Sequence, residues 1–464
     1  MITTNPSSSY FDKVAPAWDS MRSGYFTEAV REAAIRRAYL HPDMTVADVG
    51  AGTGFIAAGL APLVKHIHVL DGSAAMLNEA RRNLAQFDNV EFHEADGLSL
   101  PLPDSSVDAV FANMYLHHCP DPLAAIREMV RILRPAGRLA ITDMDAHNHE
   151  WLKTEMADLW LGFEREQIKR WFDDAGLVNV IVDGTGESCQ SGCENEKGEH
   201  ADISIFVATG TKRVPMRESV QDSYAARALS GDCGCGDSSC CSPGVIKLED
   251  LDTVEWNSNY SPGEMSEIPS EAAEISLGCG NPIAMAELKP GETVLDIGSG
   301  GGIDVFLAAR RVGSDGFVYG IDMTPAMLQR ARRAAKKGGY TNVKFRHGYA
   351  EKLPVKDSEI DVIISNCVIN LTEDKAQVFA EAYRALKAGG RLEVNDVVFG
   401  GPVMPEVRTF AVGWAECVSG ALTEAEYTDL VAQAGFKDIH VRRSTSEGVS
   451  EGVQVYSVQV SAIK

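Results

Sequence analysis

The sequence has few positive charges for its size. Its 464 residues include 43 lysines and arginines against 66 aspartates and glutamates, a formal net charge of −23. Because nucleic acids are bound through basic patches, this balance argues against a nucleic-acid partner and favours an acidic, solvated surface. The sequence also lacks an apolar run of the ~20 residues that a membrane span needs, and MITTNPSSSYFDK is not a signal pattern. We therefore expect a cytoplasmic protein with no membrane partner.

Cysteines are not scarce, and several of the ten are clustered. In a reducing compartment such clusters indicate thiolate chemistry or metal binding rather than structural disulfides. Four of them lie in GDCGCGDSSCCSPG, at Cys233, Cys235, Cys240 and Cys241. Their spacing fits no standard zinc ribbon or finger. A structural metal, capture of a metalloid, a thiol relay and an inert segment all stay open.

The chain repeats itself once, with a period of roughly 250 residues, which indicates a domain duplication and not a solenoid. VADVGAGTGF at residue 46 returns as VLDIGSGGGI at residue 294, and DGSAAMLNEAR returns as DMTPAMLQRAR. Each copy alternates β-branched runs with helical patterns, which predicts an α/β fold: two tandem Rossmann-like domains, each a mainly parallel sheet with helices on both faces. We place the domains at 1–213 and 246–464, joined by a flexible Cys/Gly/Ser-rich linker at 214–245.

The glycine pattern after the first strand of each copy predicts a nucleoside site. It is not the G-x-G-x-x-G of a pyrophosphate site, and no Walker lysine follows, so a ligand without phosphates is favoured. An acid ends the next strand, where it can bind ribose hydroxyls, and an acid after the third strand is placed to meet an adenine edge. The predicted cofactor residues are Asp48, Gly50, Gly52, Gly54, Asp71 and Asp96 in the first copy, and Asp296, Gly298, Gly300, Gly302, Asp322, Met323, Glu351 and Asn366 in the second.

These motifs resemble class I S-adenosylmethionine-dependent methyltransferases, which implies S-adenosylmethionine as the cofactor of both halves. In the second half, LGCGNP, DIGSGGGIDVFLAARRVG, SNCVINL and GWAECVSGAL resemble the arsenite methyltransferase family from Leu277 to about Phe436. The resemblance includes three separately placed cysteines, Cys279, Cys367 and Cys417. It implies methylation of arsenite or methylarsenite, a detoxifying activity, with these three residues as the arsenic ligands.

The chemistry of arsenic explains the thiols. Trivalent arsenic is soft and thiophilic, so thiolates are its preferred protein ligands. Three of them leave its lone pair free to face the sulfonium methyl, and no general base is needed because arsenic loses no proton. Methyl transfer formally oxidises arsenic, and a thiol pair can reduce it again. The family has a further upstream cysteine for this step, for which Cys240 and Cys241 are the candidates here, with thioredoxin or glutathione as reductant.

The first half lacks the three thiols, because Arg31, Met114 and Asp158 align with Cys279, Cys367 and Cys417. Its ANMYLHHCPDPLAAIREMVRILRPAGRL resembles small-molecule methyltransferases that modify quinones and sterols. His117 and His118 are read mainly as structural, and Cys119 as a packing residue. The roles of Cys189 and Cys193, and the substrate of this half, stay open.

Three other readings of the chain are open. It could methylate another soft element, such as antimony, bismuth or selenium, or a small organic molecule. It could be a cysteine-rich metalloid-binding or sensing protein whose cofactor folds are vestigial, or a zinc-stabilised assembly protein. Intact glycine turns in both copies count against the vestigial reading.

Overall fold

The computed structural model describes residues 6–190, 200–230, 260–269, 272, 280–409, 418–450 and 453–464. The chain divides into two compact units, Met1–Val214 with Pro402–Glu406, and Pro215–Gly401 with Val407–Lys464. Among the described residues, no helix is both long enough and apolar enough to cross a membrane.

The first unit is built on a seven-stranded sheet with the order β3-β2-β1-β4-β5-β7-β6. Strands β1 to β5 are parallel neighbours, whereas β7 runs antiparallel to β5 and β6. The strands are Thr45–Val49 (β1), His66–Asp71 (β2), Val90–Glu94 (β3), Val107–Asn113 (β4), Leu133–Met144 (β5), Leu177–Gln190 (β6) and Asp202–Lys212 (β7). The helices are Pro6–Val14 (α1), Trp18–Tyr25 (α2), Ala29–Ala38 (α3), Phe55–Leu60 (α4), Ala74–Asn83 (α5), Pro122–Ile132 (α6), Leu152–Glu155 (α7) and Arg165–Asp174 (α8).

The second unit repeats this order in an eight-stranded sheet, β10-β9-β8-β11-β12-β15-β14, with a short β13 beside β12. The strands are Thr293–Ile297 (β8), Phe317–Asp322 (β9), Val343–His347 (β10), Ile360–Asn366 (β11), Leu386–Phe399 (β12), Leu422–Thr423 (β13), Lys437–Ser450 (β14) and Val453–Ile463 (β15). The helices are Arg217–Ser230 (α9), Pro262–Ser266 (α10), Pro282–Met285 (α11), Ile303–Val312 (α12), Pro325–Lys337 (α13), Lys375–Ala385 (α14) and Glu424–Gln433 (α15). Two parallel-sheet domains in tandem confirm the predicted fold class.

Local sequence explains the ends of several elements. Asp121 and Asp374 each cap the helix that follows the fourth strand of their unit, accepting hydrogen bonds from Ala124 N and Gln377 N. The central strands are apolar on both faces, because helices cover both sides of a parallel sheet. In β4 every residue from Val107 to Ala112 is buried, Asp108 included. Buried apolar side chains therefore stabilise the sheet, and polar groups can occupy the carboxyl ends of the strands.

The described first part of the segment 214–245, predicted as a linker, contains a helix. Arg217–Ser230 forms the 14-residue helix α9, which belongs to the second unit and packs on α13. Its Gln221 donates a hydrogen bond to the carbonyl oxygen of Met323, and Met216 N donates to Glu373. The Gly- and Cys-rich composition that suggested a linker begins only after this helix; the remainder, with Cys233, Cys235, Cys240 and Cys241, lies outside the described residues.

Candidate active sites

A cavity opens at the carboxyl edge of the second sheet, where the predicted cofactor residues were expected. Most of those predicted residues line it: Asp296, Gly298, Gly300, Asp322, Met323, Glu351 and Asn366. Cys367 lines the same cavity. Gly302 does not, and instead begins α12 with a φ of +96°. The geometry thus gathers, around one space, residues that are separated by up to about 70 positions in sequence.

The glycine turn and the acid of β9 are tied together. Asp322 accepts hydrogen bonds from Gly300 N at 2.9 Å and from Thr324 N at 2.7 Å. Burial raises the pKa of Asp322, and these backbone donors oppose the increase. The carboxylate is therefore held rigidly at the strand end, in the position from which it can accept the hydroxyls of a ribose.

Asn366 ends β11 and forms the other wall. Its Nδ2 donates to the Gly280 carbonyl oxygen at 2.9 Å and to the Tyr260 hydroxyl at 3.0 Å. Tyr260 in turn donates to Asp304 at 2.7 Å. Burial raises the pKa of Asp304 to about 6, although Tyr260 and Asn366 both lower it. Asp296, behind this group, is wholly buried, and burial beside Asp304 raises its pKa well above the usual range.

Two observations agree with the predicted ligand, a nucleoside with an amino acid tail. Gly300 has a φ of +48°, and a Cβ at this position would meet no heavy atom within 4 Å, so the backbone leaves open space beside the turn. Asn366 Oδ1 is buried without a hydrogen-bond partner. A buried amide oxygen calls for a donor, and an ammonium group is one. Asp322, Asn366 and the glycine turn would then hold the ribose and the amino acid end of S-adenosylmethionine.

Cys367 follows β11 directly. It is 4% exposed, has a φ of +57°, and donates its backbone N–H to Asn395 O at 2.8 Å. The aligned Met114 has a φ of +50°, so the left-handed conformation belongs to the fold and not to the thiol. Cys367 is disulfide-bonded. Cys279 and Cys417, like Cys193, Cys240 and Cys241, lie outside the described residues.

Sequence reasoning missed the residues that α9 brings to this cavity. Arg217, Val220 and Tyr224 line it beside Glu351. The Arg217 guanidinium contacts Glu351 at 3.0 Å and lies over the Tyr349 ring, 5.1 Å from its centroid. The sequence from Arg217 onwards has a helical pattern that could have indicated this helix. The Gly and Cys residues that follow it favoured the prediction of a linker instead. Tyr260 and Asp304 were missed as well, because no motif marks them.

In the first unit the corresponding residues also gather at one sheet edge. Asp71 accepts hydrogen bonds from Gly52 N and Ser73 N, both at 2.8 Å. Asp48 is buried behind the turn, and burial raises its pKa to about 7 against the hydrogen bond from Ala57 N. Gly54 begins α4 with a φ of +86°. Asp96 is exposed after β3 and accepts from Leu98 N.

Tyr115 is a further residue of this first site that the sequence did not reveal. Its ring packs against Gly50 and its hydroxyl against Gly97, so a Cβ on either glycine would collide with it. Burial raises the pKa of Tyr115 well above the usual range, and Asp96 and Asp71 add to the increase. The two units therefore share a framework but differ in the side chain beside the glycine turn, where the second has Val368.

Comparison with protein families agrees with this architecture. Residues 47–141 match a family model described as a methyltransferase domain, and residues 288–435 match a second one with the same description. The matched ranges contain the glycine turns of both units. The fold and both sites thus define a tandem of two S-adenosylmethionine-dependent methyltransferase domains.

The chain is also similar to individual arsenic methyltransferases. The chain is 40% identical over 233 residues to an arsenite methyltransferase of Halobacterium salinarum, covering 48% of this chain and 58% of that protein. It is 40% identical over 181 residues to the human arsenite methyltransferase, covering 37% and 48%. A solved arsenic(III) S-adenosylmethionine methyltransferase from Chlamydomonas reinhardtii is 35% identical, covering 44% of this chain and 72% of that one, with a TM-score of 0.40.

About half of the chain is thus similar in sequence to arsenite methyltransferases. The chain spans about half the length of the curated relatives it matches. S-adenosylmethionine is the cofactor of methyltransferase domains of this kind, which agrees with the ligand predicted from the glycine turns.

Proposed function

We propose that the second domain transfers methyl groups from S-adenosylmethionine to arsenite or methylarsenite held by the thiolates of Cys279, Cys367 and Cys417. The observation that carries the proposal is the position of Cys367, on the wall of the cofactor cavity next to Asn366. A thiol at this place holds its ligand beside the transferred methyl group. Orientation of this kind is worth up to about 7–11 kcal/mol in favourable intramolecular systems.

The described neighbours of the other two cysteines support the trio. Gly280, next in sequence to Cys279, accepts the hydrogen bond from Asn366. Val418, next to Cys417, is buried four residues before β13, which pairs with the end of β12 at Val398 and Phe399. The described residues Gly280 and Leu422 thus contact the carboxyl ends of β11 and β12, which supports the proposal that arsenic ligands come from these segments.

The proposed reaction requires the second domain only to bind arsenic and the cofactor and to orient them. Arsenic attacks through its lone pair and releases no proton, and the residue at the end of the loop after β11 is the amide Asn370, which is no base. Cys367 must be a free thiolate to bind arsenic, so its disulfide has to be reduced first. Cys240 or Cys241 would form a disulfide with one of the arsenic-binding cysteines, and these two thiols would supply the two electrons that return pentavalent arsenic to the trivalent state. Thioredoxin or glutathione would then reduce the disulfide.

The test is arsenic speciation after incubation with arsenite, S-adenosylmethionine and a thiol reductant. We expect methylated arsenic from the full chain, none from Cys367→Ser, and none when the reductant is left out. Cys119→Ser is the matched control, because Cys119 is a buried free cysteine of the first unit. A folded, cofactor-binding protein that produces no methylated arsenic would refute the proposal. Transfer to antimonite but not arsenite would favour the other soft elements.

A further inference from the structure

The first unit contains a partly open cavity, and Cys367 is not among the residues that line it. Its volume is about 230 Å³, and a cavity of about 150 Å³ is enough for benzene. Aromatic side chains of α1 and α2 form one wall, and the thioethers of Met114, Met144 and Met156 form another. Glu155 and Asp158 also line it, and none of its described lining residues is a lysine or an arginine. Its volume suits a molecule of about one substituted ring.

The polar end of this cavity contains a histidine with a fixed orientation. His117 Nδ1 lies 2.7 Å from Asp143 Oδ1, and both side chains are buried. Asp143 in turn accepts hydrogen bonds from the backbone N–H groups of Met144, at 2.8 Å, and His117, at 3.3 Å. Because the carboxylate holds Nδ1, the Nε2 of a neutral His117 carries the lone pair. Nε2 lies 3.9 Å from Asp158 Oδ1, at the wall of the cavity.

This histidine is next to the place where the methyl group would be delivered. His117 lies in the short helix Leu116–His118, four residues after Asn113, which ends β4 as Asn366 ends β11. Met114, between them, lines the cavity. The cavity thus adjoins the sheet edge that holds Asp71 and the glycine turn.

The second unit provides an internal comparison. In the aligned segments NMYLHH and NCVINL, His117 corresponds to Asn370, while Asp143 corresponds to Asp396. Asn370 donates its side chain to Val397 O, and Asp396 accepts from the Tyr427 hydroxyl instead of an imidazole. The domain predicted to methylate arsenic, which has no proton to lose, has an amide at this position. The domain without the thiols has a base there.

The pKa shifts of the buried groups agree with His117 as a base that is held by Asp143. Burial lowers the pKa of His117, but Asp143 and Asp158 together more than offset this, and the net change is an increase. Burial raises the pKa of Asp158 to about 6. Burial beside His117 lowers the pKa of His118 well below its usual range, so the neighbouring ring stays neutral.

We propose that the first domain methylates a proton-bearing oxygen or nitrogen on a small ring compound, with His117 Nε2 as the general base and Asp143 as its positioning residue. The inference rests on cofactor binding by this domain and is independent of the arsenic site. The acceptor lone pair forms the new bond to the methyl carbon, and the carbon–sulfur bond breaks with its electrons on sulfur. The acceptor proton passes to Nε2 and then to water, and S-adenosylhomocysteine leaves.

Two phenols distinguish a base from a structural histidine. Phenol must lose a proton during transfer, whereas 4-nitrophenol, assayed above its own pKa, has already lost it. Transfer of labelled methyl from S-adenosylmethionine is measured with the full chain, His117→Asn and Asp143→Asn. His117→Asn introduces the residue that the second domain has at this position. Each variant is compared with the wild type on both phenols, so differences in phenol binding cancel in the ratio.

We expect both variants to lose about 10²–10⁴-fold in kcat on phenol and less than tenfold on 4-nitrophenolate. Asn370→Ala serves as the matched control in the second domain and should leave both rates unchanged. Arsenic methylation is assayed on the same samples and should survive in His117→Asn, so that failure of the arsenic proposal and failure of this one are separate results.

Three results would overturn the inference. Equal losses on both phenols would make His117 structural. No transfer to either phenol by a wild type that binds two cofactor molecules per chain would exclude the acceptor class. One zinc ion per purified chain, lost in His117→Asn and in Asp158→Asn, would make Nε2 a metal ligand, since His117, His118 and Asp158 form a ligand-type cluster.

Discussion

Replacing Gly300 by alanine tests whether the cavity of the second domain holds the cofactor. Gly300 has a φ of +48°, so an alanine there costs about 1–2 kcal/mol of backbone strain. Its Cβ meets no protein atom within 4 Å, so no clash adds to this. For a domain of this size the loss corresponds to a fall in melting temperature of about 2–8 °C. The same Cβ would enter the space assigned to S-adenosylmethionine, and we expect its affinity to fall at least tenfold, or about 1.4 kcal/mol.

The matched control is Gly339→Ala. Gly339 has a φ of +70° and equally open space around its Cβ, but it does not line the cavity. Stability measured by thermal unfolding should fall by a similar amount in both variants. Affinity measured by titration calorimetry should fall in Gly300→Ala alone. Equal cofactor affinities in the two variants would refute the placement of the cofactor. A much larger loss of stability in Gly300→Ala than in Gly339→Ala would contradict the open space around the Cβ at residue 300.

Two further predictions concern electrostatics. In the folded protein, burial raises the pKa of Asp48 from 3.8 to about 7. Between these two pH values the native state holds a proton that the unfolded chain has lost, so the free energy of unfolding falls as pH rises. Asp48→Asn should remove this part of the slope in urea unfolding at about pH 5 and about pH 8, and an unchanged slope would contradict it. Arg217→Gln releases Glu351, so cofactor affinity should fall several-fold while stability changes by less than about 1 kcal/mol. The control Arg443→Gln breaks a comparable exposed pair with Glu424, and equal cofactor affinities in the two variants would exclude Glu351 from the site.

The framework of both sites could be predicted from local patterns. Two glycine turns and the acids after them follow from the backbone geometry that a strand-to-helix turn requires, so the repeat alone predicted that Gly298, Gly300 and Asp322 lie at one sheet edge. Parallel strands bring their carboxyl ends to one edge, which is why Glu351 and Asn366 could be added. Cys367 could be placed for the same reason, since it follows β11 directly.

Residues outside the repeat could not be found in this way. Helix α9 packs on α13 by tertiary contacts, and its Arg217 reaches Glu351 across 134 positions of sequence. Tyr260 reaches Asp304 and Asn366 through hydrogen bonds that no spacing encodes. The pairing of His117 with Asp143 is a third case, because the two residues lie 26 positions apart on different elements.

The sequence by itself determined the duplication, the fold class, the cofactor turns and the positions of the thiols along the chain, because each depends on short-range patterns of backbone geometry and residue type. Only the tertiary structure decided which side chains share a space. It placed Tyr115 against Gly50 and gave the first unit a cavity with His117 at its polar end. It also showed that Asp396 is hydrogen-bonded to Tyr427, whereas Asp143 is hydrogen-bonded to a histidine. Such differences arise from packing between distant segments, which two aligned repeats do not reveal.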